Sequence, residues 1–324
     1  MLKALKYFFF FLISCILMYF AFRDQNLSEI ANKMLSINLK WIFISFLFGV
    51  LAIISRGLRW VILIDALGYT VSQKNSIHTV AIGYLTNILI PRAGEITRCT
   101  SLQKVEGVPF NKLFGTLILE RLIDLIILIF LLCIAFLYKF SEINYFFTEI
   151  FISDSNDKSY NLIFILVLLF IITISSLRLF RNQLYKLSYY KKLKNILNDL
   201  KDGLTSLREI KDKTPFILHT IFIWAMYILM TYVCFFAIKE TSNLTLLDGV
   251  YMTIIGGLGM IVPSQGGIGS YHLAVKTGLT GIGIAVQPAL MFAFAVHTAQ
   301  TLMTILFGII SSISLISSKR KKDA

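Results

Sequence analysis

Apolar residues fall in long blocks separated by short polar stretches. The blocks cover positions 7–22, 41–63, 77–90, 113–138, 161–177, 215–238, 249–262, 270–283 and 287–315. An α-helix needs about 20 apolar residues to cross a hydrocarbon core of about 30 Å. In lipid every backbone N–H and C=O must find its partner inside the segment, so such blocks become helices. The pattern predicts an all-α integral membrane protein with eight or nine hydrophobic segments. Two blocks are too short. Positions 77–90 and 249–262 would each reach only about 21 Å as helices. Each block gives way at once to the same spacing of residues, Pro91-x-x-Gly94-x-Ile96 and Pro263-x-x-Gly266-x-Ile268. A helix that stops inside a membrane leaves carbonyls unpaired, so its end faces protein or a water-filled cavity. Transporters build substrate sites at such breaks.

Loop charges set the predicted topology. Positions 178–213 hold ten Lys or Arg against four acids, and 319–322 are all basic. Both read as cytoplasmic under the positive-inside rule. The stretch 139–160 carries Glu142, Glu149, Asp154 and Asp157 against Lys139 and Lys158, so it reads as outside. If positions 72–75 and the loop bearing Lys104 and Lys112 are both inside, the chain between them dips in and returns. That is a re-entrant helical hairpin with its tip near Pro91. The loop 239–248 reads as outside and the last span ends inside, so 249–283 forms a second hairpin, entering from the opposite face. The expected architecture is six transmembrane crossings plus two re-entrant helical hairpins in an inverted repeat. The repeats are 41–139 and 215–319, within one membrane domain spanning 1–324. Both termini are expected in the cytoplasm. A reading as eight plain short helices stays open. Between the repeats, 178–214 forms a cytoplasmic amphipathic linker. Its Leu193, Ile196, Leu197, Leu200, Leu204, Leu207 and Ile210 recur at helical steps, either on the inner leaflet or under the bundle.

Composition narrows the class. The 324 residues are 56% hydrophobic, above the about 45–50% of soluble domains. The net charge of +13 reflects basic cytoplasmic loops rather than nucleic-acid binding. Cys15, Cys99, Cys133 and Cys234 are scattered without metal spacing and read as buried thiols. The histidines are equally dispersed. P-loop, GxGxxG and GxSxG patterns are missing. The expectation is therefore a non-enzyme without catalytic residues, metal or cofactor.

Charged residues inside apolar blocks carry the chemistry. An unpaired charge at the bilayer centre costs about 2.5–3.5 kcal/mol on insertion scales. Glu120, Arg121 and Asp124 lie in the block that starts at 113, with Asp124 about 16 Å in by helical rise. They form either a structural clamp or a cavity wall that binds a polar headgroup or relays protons. Arg56 and Arg59 share one helix face. They either snorkel to the interface beside Trp60 or face a cavity and bind an anion. Arg92, Glu95 and Arg98 follow the first tip. Six glycines lie between 256 and 269. Of these Gly266, Gly267 and Gly269 would let backbone amides approach a phosphate, with close helix packing as the other reading. His272 adds a side chain that titrates near neutral pH.

Together these motifs resemble a known family. Pro91-Arg92-Ala93-Gly94-Glu95-Ile96-x-Arg98, then Glu120-Arg121-x-x-Asp124, then Gly257-x-Gly259…Pro263…Gly266-Gly267-x-Gly269 are similar to the flippase-like transmembrane region of lysylphosphatidylglycerol synthases and its stand-alone relatives. Arg56-x-x-Arg59-Trp60 resembles that region's early arginine-tryptophan motif. The resemblance spans about 5–318. It implies a membrane lipid transporter, a flippase of the inner (cytoplasmic) membrane. Its substrate would be an anionic phospholipid or a polyprenyl-phosphate-linked glycolipid. Two features depart from the family: the expected absence of a soluble aminoacyl-transferase domain, and Ser270-Tyr271-His272 where an acidic residue often follows the last glycine. Membrane lipids with an anionic headgroup or a lipid-linked sugar are the expected partners, with a homo-oligomer or a membrane enzyme left open. The alternative reading is a non-catalytic scaffold or regulator of a lipid- or glycan-modifying enzyme, docking through its basic linker.

Overall fold

A computed structural model describes residues 2–23, 25–151, 206–262 and 264–323. Positions 178–205 of the amphipathic linker, the apolar block 161–177 and Pro263 fall outside those residues. The described chain is helical: α1 (Leu2–Phe22), α2 (Leu27–Met34), α3 (Leu39–Asp65), α4 (Gln73–Leu89), α5 (Gly94–Glu106), α6 (Phe110–Tyr138), α7 (Phe140–Phe151), α8 (Thr214–Cys234), α9 (Leu246–Ile261), α10 (Ser270–Gly281) and α11 (Val286–Asp323). Short 3₁₀ turns cover Phe235–Ala237, Lys239–Thr241 and Gln265–Gly267.

Three helices among the described residues are apolar and long enough to cross a membrane: Leu39–Asp65, Thr214–Ala237 and Val286–Ser317. They match three of the full-length blocks. Helix α6 is 29 residues long but carries Glu120, Arg121 and Asp124 along its length. Large side chains such as Phe43, Ile126, Phe130, Leu218, Ile221, Ile309 and Ile313 point outward on these helices. An outward apolar face is the arrangement of a protein whose solvent is lipid. The chain is a multi-pass membrane protein.

Two regions read as loops are helical. Positions 92–112, expected as a basic loop, contain α5. It begins at the Gly94 turn and stops at Gly107, whose left-handed φ of 78° closes the helix. Its polar composition hid it: only Cys99, Leu102 and Val105 enter the apolar core, and Arg98 on the same inward face meets Glu120. Positions 139–160 contain α7, which buries Ile143 and Phe146. The short blocks also start earlier than hydrophobicity alone indicates. Helix α4 begins at Gln73, where Asn75 donates to Glu106 at 2.5 Å. Helix α9 begins at Leu246 behind a capping box of Thr245 and Asp248. Of the cysteines, Cys99 and Cys234 are buried, whereas Cys15 and Cys133 are exposed on the outer surface.

Helices α4 and α5 form a tight hairpin. Gly83 and Gly94 face each other so closely that a Cβ on Gly94 would collide with the Gly83 carbonyl and the Asn87 side chain. The Gly94 N–H donates to Asn87 Oδ1 at 2.7 Å, which locks the turn. Helices α9 and α10 form the second hairpin. There Gly266, Gly267 and Gly269 take φ of 59°, 80° and 82°, conformations that need glycine. The two tips meet. Arg92 Nη2 donates to the Ile261 carbonyl at 3.0 Å, and Gly266 lies against Ile88.

Helix α3 packs along α8. Helix α4 lies on α3 and α11, and α9 lies on α8 and α6. Helix α1 closes over α10 and the second tip, where Ser14 Oγ accepts from the Gln265 N–H at 2.8 Å.

The Gly83–Gly94 contact leaves no room for a methyl group. Gly94→Ala is expected to destabilise the chain by about 1–3 kcal/mol through overpacking. Gly257→Ala, in a helix with open space around it, should be neutral or mildly stabilising. Thermal unfolding of both variants in detergent checks the difference.

Candidate functional site

The charged residues predicted inside the membrane converge. Helix α3 supplies Arg56 and Arg59, α5 supplies Arg98, and α6 supplies Glu120 and Asp124. Arg56 is 4% exposed, Arg59 0%, Arg98 4% and Glu120 0%. Asp124 bonds both Arg56 and Arg59, the latter at 3.0 Å from Nη2. Glu120 lies 3.5 Å from Arg59 Nε and 2.8 Å from Arg98 Nη1. The order in space is therefore Arg56, Asp124, Arg59, Glu120, Arg98, with each carboxylate between two guanidinium groups. The one-turn spacing of Glu120 and Asp124 on α6 matches that of Arg56 and Arg59 on α3, so the two helices zip their charges together.

Neutral groups complete the shell. Arg56 Nη1 donates to Tyr84 of α4 at 2.9 Å and to Tyr227 of α8 at 3.0 Å, and the two phenols lie 3.1 Å apart. Arg59 Nη1 donates to Thr220 at 3.3 Å. Trp60 is fully buried, its indole N–H bonded to Thr116 at 2.9 Å. The Arg98 guanidinium stacks 3.8 Å over the Trp60 ring. Snorkelling of Arg56 and Arg59 with Trp60 as an interfacial anchor is thereby replaced. All three side chains point into the protein.

Beside this cluster lies a shallow open cleft with about 20 Å³ accessible to a water-sized sphere. Gly83, Tyr84 and Asn87 of α4, Gly94, Glu95 and Arg98 of α5, and Arg121 of α6 line it. Arg121 sits on the rim, 3.6 Å from Glu95 and 4.0 Å from Asp124. Three polar atoms among these residues are buried without a partner: Arg98 Nε, Arg98 Nη2 and Glu95 Oε2.

The remaining expected site residues lie elsewhere. Arg92 is outside the cleft and caps the last turn of α9 through the Ile261 carbonyl; its own φ is 63°, unusual for a residue with a side chain. Gly266, Gly267 and Gly269 shape the second tip. The Gly266 carbonyl bonds His297 at 2.9 Å, and a Cβ on Gly269 would strike α1. His272 is buried among Phe22, Phe294 and His297, its ring centroid 4.7 Å from that of His297, and its Nδ1 accepts from the Gly269 N–H at 3.4 Å. It makes none of the arginine cluster's contacts. Tyr84, Asn87, Thr220 and Tyr227 escaped the reading of the sequence. Tyr84 and Asn87 lie three residues apart in a block too short to span, and that was the available signal.

Buried, alternating charges across three helices of a multi-pass membrane protein define a membrane domain with a polar heart. The chain belongs to the lysylphosphatidylglycerol synthase transmembrane-region family, whose pattern it matches over residues 8–308. It is 24% identical over 315 residues to a UPF0104 membrane protein of Methanocaldococcus jannaschii, covering 92% of this chain and 90% of that protein. No solved structure matches it.

Removing one member of the ion network strands its partners. Asp124→Asn leaves Arg56 and Arg59 short of a counter-charge and is expected to cost about 3–5 kcal/mol. Arg121→Ala, on the exposed rim, should cost no more than about 1 kcal/mol. Denaturation of the full chain in detergent separates the two.

Proposed function

We propose that this protein carries a lipid with an anionic headgroup between the leaflets of the cytoplasmic (inner) membrane. The substrate is an anionic phospholipid or a polyprenyl-phosphate-linked glycolipid. The observation that supports this most directly is the cleft beside the buried network, with two vacant donors on Arg98. Arg56 Nε, Arg59 Nε and both Glu120 oxygens also lack hydrogen-bond partners, but of these residues only Arg98 borders the cleft. Vacant donors on a buried cation are what a phosphate-binding site keeps ready.

In this reading Arg98 receives the phosphate. Glu120, Arg59, Asp124 and Arg56 hold that guanidinium in place, and Arg121 with Glu95 forms the rim. The α4–α5 and α9–α10 hairpins are re-entrant from opposite faces, so their tips meet within the bilayer and six crossings surround them. Arg92 and the glycine tip at Gly266, Gly267 and Gly269 close the path between the hairpins. His272 lines the second half. The termini are cytoplasmic. Family membership supports this arrangement.

Reconstitution tests it. With the full chain in liposomes, fluorescent phosphatidylglycerol in the inner leaflet becomes accessible to an external quencher faster than in protein-free vesicles. Arg98→Ala should slow this by about tenfold or more, from the loss of one charged hydrogen-bonding group. Lys33→Ala, on the exposed α2, should leave the rate unchanged. Wild-type rates equal to those of empty vesicles would reject the reading.

A further inference from the structure

Each hairpin is fastened within itself. In the first, the Gly94 N–H donates to Asn87. In the second, the Ser264 and Ser270 hydroxyls share a hydrogen bond of 2.6 Å, and Ser270 also reaches the Gly267 carbonyl at 3.3 Å. Ser14 of α1 and His297 of α11 hold the second tip from outside. Between the two tips there is far less. Gly266 faces Ile88 so loosely that a Cβ added to it would sit at 3.6 Å, an ordinary contact distance. Leu89 on one side and Ile261 and Val262 on the other are exposed rather than buried against each other. Among the described residues, the bond from Arg92 Nη2 to the Ile261 carbonyl is the only hydrogen bond that joins the tips.

Arg92 stands where its backbone does not favour it. The Ala93 N–H donates to the Ile90 carbonyl at 3.1 Å and closes a tight turn with Pro91 and Arg92 at its centre. Proline followed by a positive φ is the pattern of a type II turn, whose second central position ordinarily takes glycine or asparagine. Arg92 holds a φ of 63° there, and among the described residues all others at positive φ are glycines. A strained residue persists where its surroundings hold it. Here the hold is its own side chain, reaching across to α9. Ile261 ends α9, where carbonyls lack helical partners and the helix dipole favours a cation. Glycine at position 92 would suit the turn and lose the bridge.

We propose that Arg92 is a latch, whose bond to Ile261 holds the two hairpin tips together and whose release lets them part as intact units. Release breaks one charge-assisted hydrogen bond and one loose contact. It undoes no bond within either hairpin. The latch rests on the lipid reading only for what passes when the tips part, and its geometry is independent of the cargo.

The gap between the tips tests it. Nitroxide labels on Leu89→Cys and Ile268→Cys, one exposed position on each tip, report that gap by pulsed electron paramagnetic resonance of the full chain in detergent. Cys15 and Cys133, the exposed native thiols, are replaced by alanine, while Cys99 and Cys234 are buried. Losing a hydrogen bond to a charged group shifts a two-state balance about tenfold or more. Arg92→Ala and Arg92→Gly should each raise the ratio of long to short distances by that factor. Arg92→Lys keeps a cation within reach of the carbonyl and should restore most of the short distance. Arg92→Gly, which relieves the turn, should melt at a higher temperature than Arg92→Ala. It also keeps the experiment open if the alanine chain does not fold.

Identical distances in wild type, Arg92→Ala and Arg92→Gly overturn the latch. So does an Arg92→Lys chain as open as Arg92→Ala, or an Arg92→Gly chain that melts no higher than Arg92→Ala. None of these measurements involves lipid. Wild-type transport equal to that of empty vesicles therefore ends the lipid reading and leaves the latch standing.

Discussion

The shared carboxylates of α6 are the constraint on which the rest of the molecule depends. Asp124 joins Arg56 to Arg59, and Glu120 joins Arg59 to Arg98. Each of these ions loses its hydration on burial, at a cost of several kcal/mol, and only close opposite charge compensates. The network therefore fixes α3, α5 and α6 in one register. Through Tyr84 and Tyr227 it also reaches α4 and α8. A slip of one residue along any of these helices would turn a charge out of the chain of pairs. Apolar packing against lipid gives no such registration, because lipid tails and leucine side chains are equally apolar.

The two hairpins are built by different means. In the first, Gly83 and Gly94 let two backbones touch and Asn87 fastens the turn. In the second, three glycines at positive φ allow a wider, irregular turn, covered by Ser14 of α1 and held from α11 by His297. The first hairpin borders the ionic network. The second places His272 against His297 and two phenylalanines. Buried ionic chemistry is thus concentrated beside the first hairpin.

Much of this was legible in the residues before any coordinates. Three long apolar helices, the two short limbs and the one-face pairs Arg56 with Arg59 and Glu120 with Asp124 follow from block length and helical spacing. That the two pairs meet did not follow, since the arginines at the end of their span could equally have snorkelled to the interface. The outer parts were less legible. Helix α5 is too polar to stand out by hydrophobicity, because only Cys99, Leu102 and Val105 of its thirteen residues reach the apolar core. Helix α7 lies in an acidic stretch whose charges masked its buried Ile143 and Phe146. The roles of Tyr84 and Tyr227 were invisible, since a tyrosine in an apolar run reads equally well as core. Arg92 was expected with the other arginines, but a φ of 63° turns it toward α9 instead. Backbone conformation of that kind is set by the turn and not by residue type.

The stacking of Arg98 on Trp60 gives the molecule its own optical reporter. An indole excited state shifts charge across the ring, so its emission colour responds to a fixed cation lying over one face. The guanidinium is 3.8 Å away and the ring is shielded from water, so any anion that reaches Arg98 alters the field Trp60 feels. Trp41 and Trp224 are the only other indoles in the chain. With both replaced by phenylalanine, occupancy of the polar heart becomes a colour change that needs no attached dye.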